Sequence, residues 1–139
     1  MDPALERATE LLKSTKTRIA VVGASNNPSK YGNIIVLNLL RQGFQVLPVN
    51  LRDTTIAGLP AYRSLADVPK PVDIVDVVTP PQVTRRILKE AAAAGDELVW
   101  LQDGSFDDAV LADAAAAPFQ TVHHACIMVV ARSLASRRT

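Results

Sequence analysis

The chain has 139 residues, 48% of them hydrophobic and 21% charged, and at that length a fold buries about 70% of the unfolded surface without a disulfide or metal. Fifteen basic residues nearly cancel 14 acidic ones and aromatics make up only 4%, so a nucleic-acid binder's electrostatic footprint and base-stacking surface are both missing. A single cysteine, Cys126, excludes an internal disulfide and a cysteine-rich zinc site. No apolar run approaches the roughly 18 residues of a membrane span, and the first residues lack a signal peptide's apolar stretch. The expectation is one cytoplasmic domain over residues 1–139, with no membrane or nucleic-acid partner.

Asp2 and Pro3 form a helix-start pair, and Leu5, Ala8, Leu11 and Leu12 then make a helical stripe. Residues 18–22 are a continuous apolar run ending at Gly23, the pattern of a strand covered on both faces. After a Gly-Ala-Ser-Asn-Asn-Pro loop, Ile34, Ile35, Leu37, Leu39 and Leu40 mark a helix over 31–42, stopped by Gly43. A second strand spans 44–49. Residues 51–71 hold three prolines and a glycine and read as a loop with a short helical turn near 64–68.

A third strand spans 73–78. Thr79 is expected to cap the next helix with Pro80 at its first position. Val83, Ile87, Ala91 and Ala94 line that helix's apolar face, opposite Arg85, Arg86 and Lys89, up to Gly95. A fourth strand covers 97–101. Ser105 and Asp108 resemble a capping box opening a helix through Ala117. A fifth strand spans 119–122, and a last helix runs from Cys126 to Ser136.

Five strand–helix alternations specify a three-layer α/β fold: a five-stranded, mainly parallel sheet with helices on both faces. In such folds ligands bind beyond the carboxyl ends of the strands, where strand order reverses. Residues 23–33, 50–53, 79–82 and 102–105 therefore converge on the candidate site.

The first of these segments carries the strongest local signal. Gly23 permits a tight turn, Ala24 and Ser25 are small, and the loop feeds a helix whose unpaired amides and dipole attract anions. Lys30 adds charge there. The alternative is a loop that is small for packing alone. The dinucleotide pattern Gly-x-Gly-x-x-Gly is broken by Ser25 and Pro28, and no acidic residue ends the second strand to hold a ribose. Arg52 at that place suits an extra ribose phosphate, or is simply a solvated loop cation. Thr79, Pro80 and Pro81 offer either a flat apolar wall for a ring or a plain helix start. Gln102, Asp103, Gly104 and Ser105 supply an amide side chain and a third helix start.

Catalytic candidates are thin. His123 and His124 end the fifth strand near Cys126, without a third orienting residue. Cys126 reads as one half of a Cys-His nucleophile pair or, with more weight, as a small packed hydrophobe. Asp73 and Asp76 face opposite sides of their strand, so they form no carboxylate pair. The expectation is no catalytic residue and no metal ligand.

In order along the chain stand Ile19-Ala-Val-Val-Gly-Ala-Ser25, Lys30-Tyr-Gly-Asn33, Val46-Leu-Pro-Val-Asn50, Ile56-Ala-Gly58, Val72-Asp-Ile-Val-Asp-Val77, Val99-Trp-Leu-Gln102 and Cys126-Ile-Met-Val129. This set, over roughly residues 4 to 135, resembles the small stand-alone coenzyme A-binding proteins of bacteria and archaea. These in turn are similar to the N-terminal domain of the succinyl-CoA synthetase α subunit. The resemblance implies a Rossmann-like domain that binds CoA or an acyl-CoA and has no chemistry of its own. It assigns Gly23, Ala24 and Ser25, with Lys30, Tyr31, Gly32 and Asn33, to the pyrophosphate. Asn50 and Arg52 fall to the adenosine ribose and 3′-phosphate, Thr79, Pro80 and Pro81 to the nucleotide, and Gln102 and Gly104 to the pantetheine side. Departures from the family pattern are Asp103, where an apolar residue is usual, and His123-His124-Ala125, where Asp-Arg precedes the cysteine. An NADP-binding redox protein or sensor, and a scaffold with a vestigial nucleotide site, are the other readings. A protein partner or homo-oligomer stays open.

Overall fold

The computed structural model describes residues 2–139. Helix α1 (Pro3–Leu11) opens where Asp2 accepts the Ala4 amide, as its Asp-Pro start predicts. Strand β1 (Arg18–Val22), helix α2 (Tyr31–Arg41) and strand β2 (Gln45–Val49) follow within a residue or two of their expected bounds. The segment expected to be a loop holds a hairpin instead. Its strands are β3 (Thr55–Ile56) and β4 (Leu59–Pro60), turned by Ala57 and Gly58 at φ of 52° and 78°. Two consecutive positive φ values are what a two-residue hairpin turn needs. A 3₁₀ turn (Leu65–Asp67) precedes β5 (Ile74–Val77).

Helix α3 (Pro81–Ala93) starts one residue later than expected. Pro80 is the cap residue and Pro81 takes the first position, while the Thr79 hydroxyl pairs with Thr84 Oγ1 at 2.8 Å. Two prolines spend no N–H at a helix end that has no intrahelical acceptor for one, so a side-chain cap is dispensable. After β6 (Leu98–Leu101), α4 (Asp108–Ala115) is capped by Asp107, which accepts the Val110 amide at 2.9 Å. The expected cap, Ser105, lies too early and donates to the Gln102 carbonyl at 2.6 Å instead. Strand β7 (Gln120–Val122), α5 (Ile127–Ser133) and a final 3₁₀ turn (Ala135–Arg137) complete the order.

The main sheet runs β2-β1-β5-β6-β7 with every pairing parallel. Alternation along the strands divides the core in two. Ile19, Val21, Ile74, Leu98 and Trp100 face α1, α2 and α5. Ala20, Val22, Val75, Val77, Val99 and Leu101 face α3 and α4. Both faces are covered, which explains strands that read as unbroken apolar runs. Pro48 is tolerated in β2 because that strand is the sheet's edge. The chain's direction across the sheet reverses between β1 and β5, so a crevice opens where these two strands end. Among the described residues no helix is long and apolar enough to cross a membrane.

Candidate functional site

A cleft of about 810 Å³ opens at that crevice on the α3 side of the sheet. Its floor is Gly23, between β1 and α2, with φ at 98°. A Cβ at this position would lie 2.8 Å from Val78 Cγ2, so the turn needs glycine both for conformation and for room beside β5. Gly32 is tighter: a Cβ there would sit 1.9 Å from the Gly23 carbonyl oxygen. The start of α2 therefore rests directly on the end of β1. In dinucleotide-binding turns one glycine makes the bend and another allows close helix–strand packing. Here Gly23 and Gly32 divide those two tasks across a longer loop, although the familiar spacing is absent.

Three side chains stiffen this loop. Asn33 Nδ2 donates to the Ser25 carbonyl at 2.9 Å, and Asn50 Nδ2 donates to the Ala24 carbonyl at 2.8 Å. Asn50 Oδ1 also accepts the amides of Arg52 and Asp53, binding the loop after β2 to the loop after β1. Asn26 reaches Asp53 and the backbone at Thr55 and Ala57. The amides of Ala24, Ser25, Tyr31 and Gly32 have no hydrogen-bond acceptor among the described residues. They stand at a helix start, where an anion is their natural partner.

The cleft's charge matches. Lys30, Arg52, Arg63 and Arg86 line it, against Asp53 and Glu90. Val22, Val49, Val83 and Ile87 give it an apolar floor beside the cations. Arg63 and Arg86 were not among the sequence candidates. Arg63 arrives through the β3–β4 hairpin and the Val49–Tyr62 bridge that follows it. Arg86 is on the exposed flank of α3, which reads from sequence as an ordinary solvated face. Their common signal is basic residues one turn or one hairpin away from a strand end.

Of the sequence candidates, Gly23, Ala24, Ser25, Lys30, Asn50, Arg52, Thr79 and Pro80 line the cleft. Gly32 and Asn33 shape it from behind, and Pro81 begins α3 beside it. Gly104 is exposed at φ of 88° after β6, outside the cleft lining. Tyr31 and Gln102 belong to a different group. Gln102 is fully buried: its Oε1 accepts the Ile127 amide and its Nε2 donates to the Tyr31 hydroxyl, both at 3.1 Å. The same hydroxyl lies 3.3 Å from Cys126 Sγ. His123 and His124 stack against each other and Phe106, with ring centroids 4.4 to 5.5 Å apart, and not against Cys126.

A parallel doubly wound sheet, with a glycine turn, free amides and a cation-lined cleft at its point of reversal, defines a Rossmann-like α/β domain. The chain belongs to the CoA binding domain family, whose model matches residues 17–132. Over 91 residues, 65% of the chain, it is 40% identical to the α subunit of acetate–CoA ligase (ADP-forming) II of Pyrococcus furiosus. It spans only 20% of that subunit. Among solved structures, a conserved hypothetical protein of Pyrococcus furiosus is 44% identical with a TM-score of 0.79, covering 81% of this chain and 97% of its own. A hypothetical protein of Pyrococcus horikoshii is 30% identical with a TM-score of 0.83, over 93% of this chain and 90% of its own.

Proposed function

We propose that the chain binds coenzyme A or an acyl-CoA in the cleft between β1 and β5, as a binding module without catalysis of its own. The observation that carries this reading is the turn after β1, where free amides and the Lys30 ammonium surround a glycine floor with no side chain in the way. The residues present fit the ligand's chemistry. A diphosphate needs several donors and positive charge at close range, and Ala24, Ser25, Lys30, Tyr31 and Gly32 offer them at one helix start. A further phosphate on the ribose matches Arg52, with Arg63 on the same wall. The apolar floor of Val49, Val83 and Ile87 suits the adenine ring, with the rigid Pro80 beside it. When bound, CoA supplies a thiol or thioester, and this chain's residues bind and orient it.

Family membership supports the ligand class, and the similarity to one segment of a larger ligase subunit supports a module that holds a cofactor rather than transforms it. Separate calorimetric titrations with CoA and NADPH test the reading. Saturable binding of CoA, tighter than NADPH, is expected. Tighter binding of NADPH, or no heat with either nucleotide, overturns it.

A further inference from the structure

The polar group joining α2 to α5 is not used by the cleft. Its orientation is fixed in sequence. The Ile127 amide donates to Gln102 Oε1, so Gln102 Nε2 faces the Tyr31 hydroxyl. A phenol oxygen that accepts this bond keeps its own proton for its other neighbour, Cys126 Sγ. Burial, and then the Cys126 contact, push the Tyr31 pKa up to about 12, so the phenol remains a donor. Burial pushes the Cys126 thiol up, but the Tyr31 hydrogen bond, the Val129 and Met128 amides and Gln102 outweigh it and leave the thiol below its ordinary value. The thiolate is the reactive form of cysteine.

A second observation points to the same place. Asp76, in β5, pairs in register with Val21 and Trp100, is 0% exposed, and neither carboxyl oxygen has a hydrogen-bond partner among the described residues. Its neighbour Trp100 donates its indole N–H to the Ala125 carbonyl at 2.8 Å, directly before Cys126. The carboxyl thus shares the sheet face of Val21 and Trp100, which α2 and α5 cover, and it is near enough to feel Cys126 and to be felt by Tyr31. Burial first, and then Cys126, hold Asp76 well above the usual carboxylate range. A buried carboxylate with no donor is not sustained, whereas a thiolate with several donors is. The group accommodates one negative charge, and the sulfur is where the donors converge.

We infer that Cys126 is a nucleophilic thiol that captures coenzyme A as a mixed disulfide, by exchange with CoA disulfide, with the Tyr31 hydroxyl positioned to hold the attacking sulfur. This rests on the reading that the cleft binds CoA. Lys30 lines the cleft and the next residue, Tyr31, touches the thiol, so phosphates held at the start of α2 leave the cofactor's long thiol arm beside α5. In the step, Cys126 gives its proton to water and the resulting Sγ thiolate attacks one sulfur of the disulfide. The Sγ–S bond forms as the S–S bond breaks, and the second CoA leaves as a thiolate with the electron pair and takes a proton from water. The disulfide is itself the oxidant.

Intact-mass kinetics test the inference with CoA disulfide and glutathione disulfide at equal concentration. The expected result is an adduct on the wild type but not on Cys126→Ser, forming about tenfold faster or more from CoA disulfide because the cleft concentrates it. Tyr31→Phe, which keeps the ring, should slow the exchange by about tenfold, the effect of losing one hydrogen bond to a charged acceptor. Equal rates with both disulfides, or an unchanged rate in Tyr31→Phe, overturn it. Calorimetry of Cys126→Ser with reduced CoA separates the two readings. Normal binding there, with no wild-type adduct, refutes the capture of CoA and leaves the cleft assignment standing.

Discussion

The two sides of the sheet's carboxyl edge are built in opposite ways. On the α3 side the backbone is left unpaired, cations gather, and a cleft stays open. On the α2–α5 side Gln102, Tyr31 and Cys126 bond to one another, with Gln102 buried, Cys126 half-buried, the Tyr31 ring at the surface and the Asp76 carboxyl left without a partner. The same parallel sheet therefore presents a surface of unpaired donors next to one whose polar side chains are tied to each other and join two helices. Substitutions should lower affinity on the first side and stability on the second, with the glycine contact between β1 and α2 as the hinge of both.

The sharpest break in this comparison is Gly32→Ala. Its Cβ would fall 1.9 Å from the Gly23 carbonyl oxygen, so backbone must move. Chemical denaturation should show a loss of more than about 3 kcal/mol, and an unchanged midpoint would mean the approach is looser than described. Gln102→Ala comes next. It strands the Ile127 amide and opens a cavity, and should cost about 3 kcal/mol of stability. Reduced CoA affinity without a drop in Tm would instead place Gln102 on the ligand side.

On the open side, Arg52→Ala and Lys30→Ala should each weaken CoA by about 1.5 to 3 kcal/mol, with stability within about 0.5 kcal/mol of wild type. Dephospho-CoA should be insensitive to the Arg52 change, and equal losses for both ligands would detach Arg52 from the ribose phosphate. The smallest effect is one of pH. Asp76 has a raised pKa in the fold, so it binds its proton more tightly there than in the unfolded chain. Its contribution is complete below the unfolded value of about 4 and is lost as pH rises through the folded value. Asp76→Asn should flatten the decline of stability with pH between those two values, read as Tm against pH. Superimposable profiles would show that the carboxyl finds a partner.

Much of this architecture was legible in the residues themselves. Runs such as Arg18–Val22 and Ile74–Val77 read as short strands, and glycines 23, 43 and 95 end elements where they stand. What escaped reading depends on distance or on very short elements. Two-residue strands at Thr55–Ile56 and Leu59–Pro60 carry no periodicity, yet they bring Arg63 to the cleft. Asp107 rather than Ser105 caps α4, because the Ser105 hydroxyl is spent on the Gln102 carbonyl. Gln102 lies at a strand end on the sheet's carboxyl edge, and its side chain is taken by Tyr31 and Ile127, partners 71 and 25 residues away.

The central claim is that the free amides after β1 hold a diphosphate. Nuclear magnetic resonance follows those amides one by one while CoA is added. The largest shifts are expected at Ala24, Ser25, Tyr31 and Gly32, saturating together and reduced in Lys30→Ala. No shifts in the turn at saturating CoA would contradict the account.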